Sequence, residues 1–366
     1  MTQRELTEYN LGKSLDALMH LDPRGYGVCT ILYHGAAQRT GKPGVPGNLP
    51  VPLSIHGARH MMAHISRGSL VYIITGFVLH PYNRAETDGP PGALALARAL
   101  VEGFDAKPLI ICPEEAAAAM AALIETAGLS AETDLEELKR SPRGVGVYTF
   151  TKEAGEAPAR AAELMAWGKP SYVIAIEAPG ANDRGVYHNA VGRDVSALEA
   201  KSDVLFASLQ KAGTPSLAIG DLGNECGMGT LRDTLIWYVP YAAPGGCSCG
   251  CGGGIVAQTG AEVVITATVS NWAAYGLCAA LGYLLGRMDL LHTPELEARL
   301  LAAAAEAGLV DMYGEAIPAV DGLNSTISMS ITTLMGECVT NVMAHKEKCK
   351  IWFAKTIERA FFQNLV

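Results

Sequence analysis

The chain has 366 residues, 49% of them hydrophobic and 18% charged, enough apolar material for a sizeable core in one large or two ordinary domains. A formal charge of −9, with no basic cluster beyond the short Lys346–Lys350 run, argues against nucleic acid or an anionic membrane as partner and for a small polar ligand. No apolar stretch reaches membrane-spanning length, residues 1–10 resemble neither a secretory nor a transit segment, and nine mostly isolated cysteines read as free thiols of a cytoplasmic protein.

In chain order, residues 3–20 read as a helix with Leu11, Leu15 and Leu18 on one face. Residues 22–52 carry Gly25, Gly27, Gly35, Gly41, Gly44 and Gly47 among several prolines, a composition expected to form an irregular excursion or lid. Residues 1–66 are accordingly read as an N-terminal extension on the main domain. His56, His60 and His64 recur every four residues and share one helix face. That spacing suits a transition metal, but no carboxylate stands where known zinc motifs have one, so a histidine-bearing surface helix is the expected reading.

From residue 69 short β-branched runs alternate with helix-like segments. Strands are expected at 70–75, 107–112, 144–149, 171–176, 216–219 and 262–268, and helices at 91–102, 113–127, 157–167, 196–212, 230–239 and 271–285. Near-continuous apolarity in the strands signals burial on both faces. The expected fold is a doubly wound, mostly parallel α/β sheet, Rossmann-like and three-layered, with extra helices at both ends. Residues 67–325 form that domain, and helices at 294–307 and 326–364 close the chain, with residues 326–366 packed on it.

In such sheets ligands bind beyond the carboxyl ends of the strands. The densest polar loop there is Ile219–Gly229, where four glycines surround Asp221, Asn224 and Glu225. Thr75 and Gly76 end the first strand, and Glu86, Thr87, Asp88 and Gly89 precede the following helix, which Thr87 or Asp88 is suited to cap. Glu177 ends the fourth strand, with Tyr187 and Asn189 in the following loop. Ser270 reads as a helix cap beside Asn271, a site donor, and Asp321-Gly322 reads as a turn. Cys247, Cys249 and Cys251 lie too close for common structural-zinc spacing and have no second pair downstream, so a glycine loop bearing thiols is expected.

With these pieces, Thr75–Phe77, Glu86–Gly92, Glu177–Gly180 with Gly185, Tyr187 and Asn189, Gly220–Gly229, Cys249-Gly250, Ser270–Trp272 with Tyr275, and Asp321-Gly322, the chain resembles the D-glutamate cyclase-like C-terminal domain family over about residues 70–325. The resemblance implies a lyase converting D-glutamate to 5-oxo-D-proline with loss of water. Attack of the substrate amine on its own side-chain carboxylate needs a base and stabilisation of an oxyanion. The expected catalytic residues are Asp221, Glu225, Asn224 and Glu177. Thr75, Gly76, Glu86, Thr87, Asp88, Gly89, Tyr187, Asn189, Gly223 and Asn271 are expected to contact substrate. Asp88, Asp221 and Glu225 would hold magnesium or manganese, with no nucleotide cofactor; a homo-oligomer is compatible. Two rival readings are a nucleotide- or phosphate-dependent enzyme, disfavoured by an acidic site and the absence of a GxxxxGK[ST] loop, and a non-catalytic amino-acid or metal sensor.

Overall fold

Runs such as Val71–Ile74, Leu109–Ile111 and Val173–Ile176 are apolar at every position and buried on both sides, the condition for central parallel strands. The computed structural model describes residues 3–25, 27–41 and 49–345. The strands are β1 (Leu70–Thr75), β2 (Val78–Leu79), β3 (Arg84–Ala85), β4 (Lys107–Cys112), β5 (Ser130–Glu132), β6 (Gly144–Thr149), β7 (Tyr172–Ile176), β8 (Ser216–Gly220), β9 (Val263–Thr266), β10 (Ala319–Val320) and β11 (Leu323–Asn324). The helices are α1 (Gln3–Met19), α2 (Cys29–Gln38), α3 (Leu53–His64), α4 (Pro90–Phe104), α5 (Glu114–Thr126), α6 (Leu135–Arg140), α7 (Ala157–Trp167), α8 (Ser202–Lys211), α9 (Arg232–Tyr238), α10 (Ser270–Leu285), α11 (Pro294–Glu306) and α12 (Ser325–His345).

Seven strands form one parallel sheet in the order β5-β6-β4-β1-β7-β8-β9. Successive side chains of β1 point to opposite layers. Val71 and Ile73 join the core that includes α4, α5 and α10, while Tyr72 and Ile74 meet Leu164 of α7 and Phe206 of α8 in the other core. The expected doubly wound three-layer architecture is therefore present. Helix α10 is buried from Ser270 through Tyr283, as a helix that is apolar all round must be.

Differences from expectation have local causes. Edge strand β5 has no fully buried residue and so carries no apolar run. Helix α8 starts at Ser202 rather than 196, because residues 196–201 are irregular and Glu199 accepts from the backbone N–H of Val78. Within the expected excursion, Leu32, Ala36 and Ala37 bury one face of α2. The distal part of the expected last helix and the Lys346–Lys350 run lie outside the described residues, as do residues 42–48.

Helix α3 starts after Pro52, which supplies no side-chain cap. Its cap comes from α1: buried Asp16 accepts the N–H groups of Leu53 (2.7 Å) and Ser54 (3.0 Å) and the Ser54 hydroxyl (2.7 Å). A carboxylate at a helix N-terminus satisfies donors that the helix cannot. Asp16→Ala leaves three buried donors without an acceptor and is expected to lower unfolding stability by about 2–3 kcal/mol. Urea titration checks this, and an unchanged midpoint would show that the α1–α3 clasp contributes nothing.

Candidate active site at the carboxyl edge of the sheet

The chain leaves β1 towards β4 on one side and returns through β7 on the other, so the sheet's topological switch lies between β1 and β7. Thr75 ends β1, Glu177 follows β7, Asp221 follows β8, and Thr268 lies just beyond β9. The Gly76 N–H donates to the Glu177 carbonyl at 2.9 Å, closing the switch. Glu177 sits at φ +40°, a conformation disfavoured for a side-chain-bearing residue.

Two helix N-termini interlock beside it. Asp88, just before α4, accepts from the first two N–H groups of α10, Ser270 and Asn271, each at 2.9 Å. Asn271 reciprocates: its side-chain oxygen accepts from Gly89 (3.0 Å) and Gly92 (2.7 Å) at the start of α4, and its amide nitrogen donates to the Thr87 carbonyl. Asp88 thus caps α10 instead of its own helix, and Ser270, expected as a cap, donates its hydroxyl to Glu177 Oε2 at 2.6 Å. Only glycine fits at residue 89, where φ is +99° and a Cβ would stand 2.6 Å from Thr75 Oγ1 and 2.9 Å from the Glu177 side chain.

The loop after β8 is built around Glu225. Its buried carboxylate accepts the N–H groups of Asp221 and Leu222, each at 2.8 Å, and of Gly223. Successive amides wrapped on one anion fix the Asp221 backbone. Asn224 donates to the His188 carbonyl at 3.0 Å, tying the loop to the connection after β7. The Cys29 thiol at the start of α2 reaches the Asp221 carbonyl.

The carboxylates converge. Ligand-capable atoms of Asp88, Asp221 and Asp321 lie within 4.8 Å of one another, and so do those of Glu177, Asp221 and Glu225. Asp221 belongs to both groups, whereas the expected trio of Asp88, Asp221 and Glu225 is divided between them. Glu86, Asp88, Glu177 and Glu225 are buried, while Asp221 and Asp321 keep partial exposure. Arg24 lies 3.9 Å from Asp321 and donates to the Asp321 and Thr268 carbonyls. Burial, reinforced by mutual repulsion, pushes the Glu86, Glu177, Asp221 and Asp321 carboxyls well above the ordinary range. Burial lifts Asp88 less, to about 6, because the N–H groups of Asn271, Ser270 and Gly89 oppose it. The buried hydroxyls of Thr75 and Thr87 have no protein partner.

Other expected contacts are engaged within the protein. The Gly76, Gly89 and Gly223 N–H groups have the acceptors named above, and the Asn271 carboxamide accepts two N–H groups through its oxygen and donates to Thr87 through its nitrogen. The Tyr187 hydroxyl donates to Asp203 at 2.5 Å, and the Asn189 side-chain oxygen accepts from Val191 and Arg193 in its own turn. His60 pairs with Tyr172 and Glu262, and the His64 ring bonds the His60 carbonyl, so α3 assembles no three-histidine ligand set. Arg24 and Cys29 escaped the sequence reading, which took Asp321 only as a turn residue and a piece of the family pattern. Asp321-Gly322 is indeed the turn between β10 and β11, and that reading concealed the carboxylate's second place in the cluster.

The model of the D-glutamate cyclase-like, C-terminal family matches residues 15–335. Among curated proteins, the mitochondrial D-glutamate cyclase of Homo sapiens is 30% identical over 226 residues, which cover 59% of this chain. The aligned region is 33% of that protein, so the chain spans about a third of the length of this relative. The family match begins within α1, ends within α12 and includes every carboxylate of the cluster; the chain belongs to the D-glutamate cyclase-like, C-terminal family.

Proposed function

We propose that this chain is a lyase that cyclises D-glutamate to 5-oxo-D-proline with release of water, at the acidic cluster between β1, β7 and β8. The supporting observation is the convergence on Asp221 of two carboxylate groups at the switch point, in a chain of this family. In the reaction the substrate nitrogen bonds to its own side-chain carboxyl carbon, and a carboxyl oxygen leaves as water with the protons released by nitrogen. Asp221, partly exposed and raised in pKa, takes a proton from the substrate ammonium. Glu177, held by Ser270, returns a proton to the departing oxygen. Glu225 and Asn224 position the Asp221 loop, and Asn271 with Gly89 and Gly76 positions Asp88 and Glu177. Thr75 and Thr87 offer hydroxyls to the substrate, as Glu86 offers a carboxyl.

Charge balance supports a divalent cation. Glu86, Asp88, Glu177, Asp221, Glu225 and Asp321 crowd one region that Arg24 approaches, and glutamate adds two carboxylates to one ammonium. An all-oxygen donor set suits magnesium or manganese. Asp88, Asp221 and Asp321, or Glu177, Asp221 and Glu225, are the residues to hold it. When bound, such an ion supplies Lewis-acid polarisation of the substrate carboxyl. No nucleotide enters this scheme. Among the described residues no helix is long and apolar enough to cross a membrane, and the eight described cysteines are free thiols, which supports a reducing compartment such as the cytoplasm.

NMR of purified protein with D- or L-glutamate, with and without magnesium or manganese, is expected to show 5-oxoproline from the D isomer. Binding without turnover would favour a sensor. Asp221→Asn keeps the shape but removes the base, and is expected to cut turnover about 100-fold while leaving the melting temperature unchanged or higher, because it relieves repulsion. Full turnover in this variant would contradict the assignment.

The raised carboxyls also set a pH dependence. A carboxyl with a raised folded-state pKa contributes stability that is complete below its unfolded value and lost as pH rises through the folded one. For Asp88 that window runs from 3.8 to about 6, and its neighbours extend it upward. In EDTA, thermal stability is expected to fall over this window, and magnesium or manganese should abolish the fall. Stability that stays flat or rises with pH in EDTA would contradict the electrostatic account.

A further inference from the structure

The Cys247-Ser248-Cys249-Gly250-Cys251 loop has three thiols at alternate positions, a spacing that suggests no fourth ligand. The structure supplies one: His188, 61 positions before Cys249, brings Nε2 to 3.2 Å from Cys249 Sγ and 3.6 Å from Cys251 Sγ. The sulfurs of Cys247 and Cys251 are 3.4 Å apart, and those of Cys247 and Cys249 are 3.6 Å apart. All four candidate ligand atoms lie within 4.8 Å of one another. With zinc–sulfur bonds of about 2.3 Å, a regular tetrahedron has edges of about 3.8 Å, close to this spacing. The sulfurs are too far apart for disulfides, whose bonds are about 2.05 Å, and all three thiols are free.

Local chemistry explains the convergence. In an extended strand, alternate side chains share a face but stand about 6.5 Å apart. Gly250, Gly252 and Gly254 all take φ between 75° and 81°, curling the loop so that the sulfurs meet. Cys251 Sγ accepts from Asn182 Nδ2 at 3.3 Å and from the Gly253 N–H at 3.4 Å, bonds that orient the sulfur as a ligand. The Asn182 side-chain oxygen in turn accepts from Arg184 and Val186, shaping the segment that presents His188.

We propose that Cys247, Cys249, Cys251 and His188 bind zinc in a tetrahedral Cys3His site separate from the acidic cluster. Four protein ligands leave no open position, so this site is structural. It fastens the connection after β7 to the loop before β9. Its link to the acidic cluster is direct, since the His188 carbonyl is the acceptor for Asn224 of the Asp221 loop. The proposal does not depend on the substrate assigned above.

The test is elemental analysis of the full chain, purified under reducing conditions without added metal and dialysed against dilute EDTA. It is expected to contain about one zinc per chain, released in step with thiol titration by an organomercurial. Cobalt exchanged into the site should give the visible bands of a tetrahedral thiolate complex. Cys249→Ser combined with Cys251→Ser should abolish stoichiometric zinc and the cobalt bands, whereas Asp221→Asn should retain both. Wild-type protein without zinc, zinc retained by the double variant, or a native disulfide among the three cysteines would each overturn the proposal. The wild-type measurements decide the matter even if the double variant fails to fold.

Discussion

The site depends on one reciprocal exchange: Asp88 accepts from the first amides of α10, while Asn271 of α10 accepts from the first amides of α4. Each helix lacks a cap of its own and receives it from the other. The exchange requires glycine at residues 89 and 92, because a Cβ at 89 would strike Thr75 and Glu177 and one at 92 would strike Asn271 and Ile176. It also fixes where Ser270 can stand, and therefore where the Glu177 carboxylate is held. Two helix dipoles directed at the same place make a region where buried negative charge is tolerated.

That tolerance is incomplete. The amides around Asp88 offset much of its burial, leaving it near 6, while Glu86, Glu177, Asp221 and Asp321 rise further. Glu177 and Asp321 also occupy positive φ. A centre that holds carboxylates in repulsion and backbone in disfavoured conformations has its fold maintained from outside. Here the support comes from the parallel sheet beneath, the α4–α10 exchange beside it and the Glu225-centred loop opposite. A cation or a substrate ammonium bound there, as proposed, would lower the repulsion and so link ligand binding to stability.

Much of this was legible in the sequence, for identifiable reasons. Central strands such as β1 and β7 are buried on both faces and so carry long apolar runs, whereas β5 lies at the edge without a fully buried residue and left no trace. The density of glycine and carboxylate in Ile219–Gly229 drew attention to a loop that follows β8 at the carboxyl edge, but spacing could not distinguish Glu225, which folds the loop, from Asp221, which the loop presents. Asp321 was hidden because Asp-Gly already satisfies the chemistry of a turn. Arg24 and Cys29 were hidden in a Gly- and Pro-rich segment whose composition conceals helix α2. His188 joins the cysteines only through the folding of two connections around each other, a long-range relation that no local motif records.

The central claim is that the carboxylates around Asp221 form one cation-binding centre at the switch point. The most direct measurement is anomalous diffraction from crystals soaked in manganese and D-glutamate. The account predicts a manganese peak in bonding range of Asp221 and of either Asp88 with Asp321 or Glu177 with Glu225, with amino-acid density beside it. A well-ordered pocket in which manganese and D-glutamate both fail to appear, or manganese bound only at some other part of the surface, would contradict it.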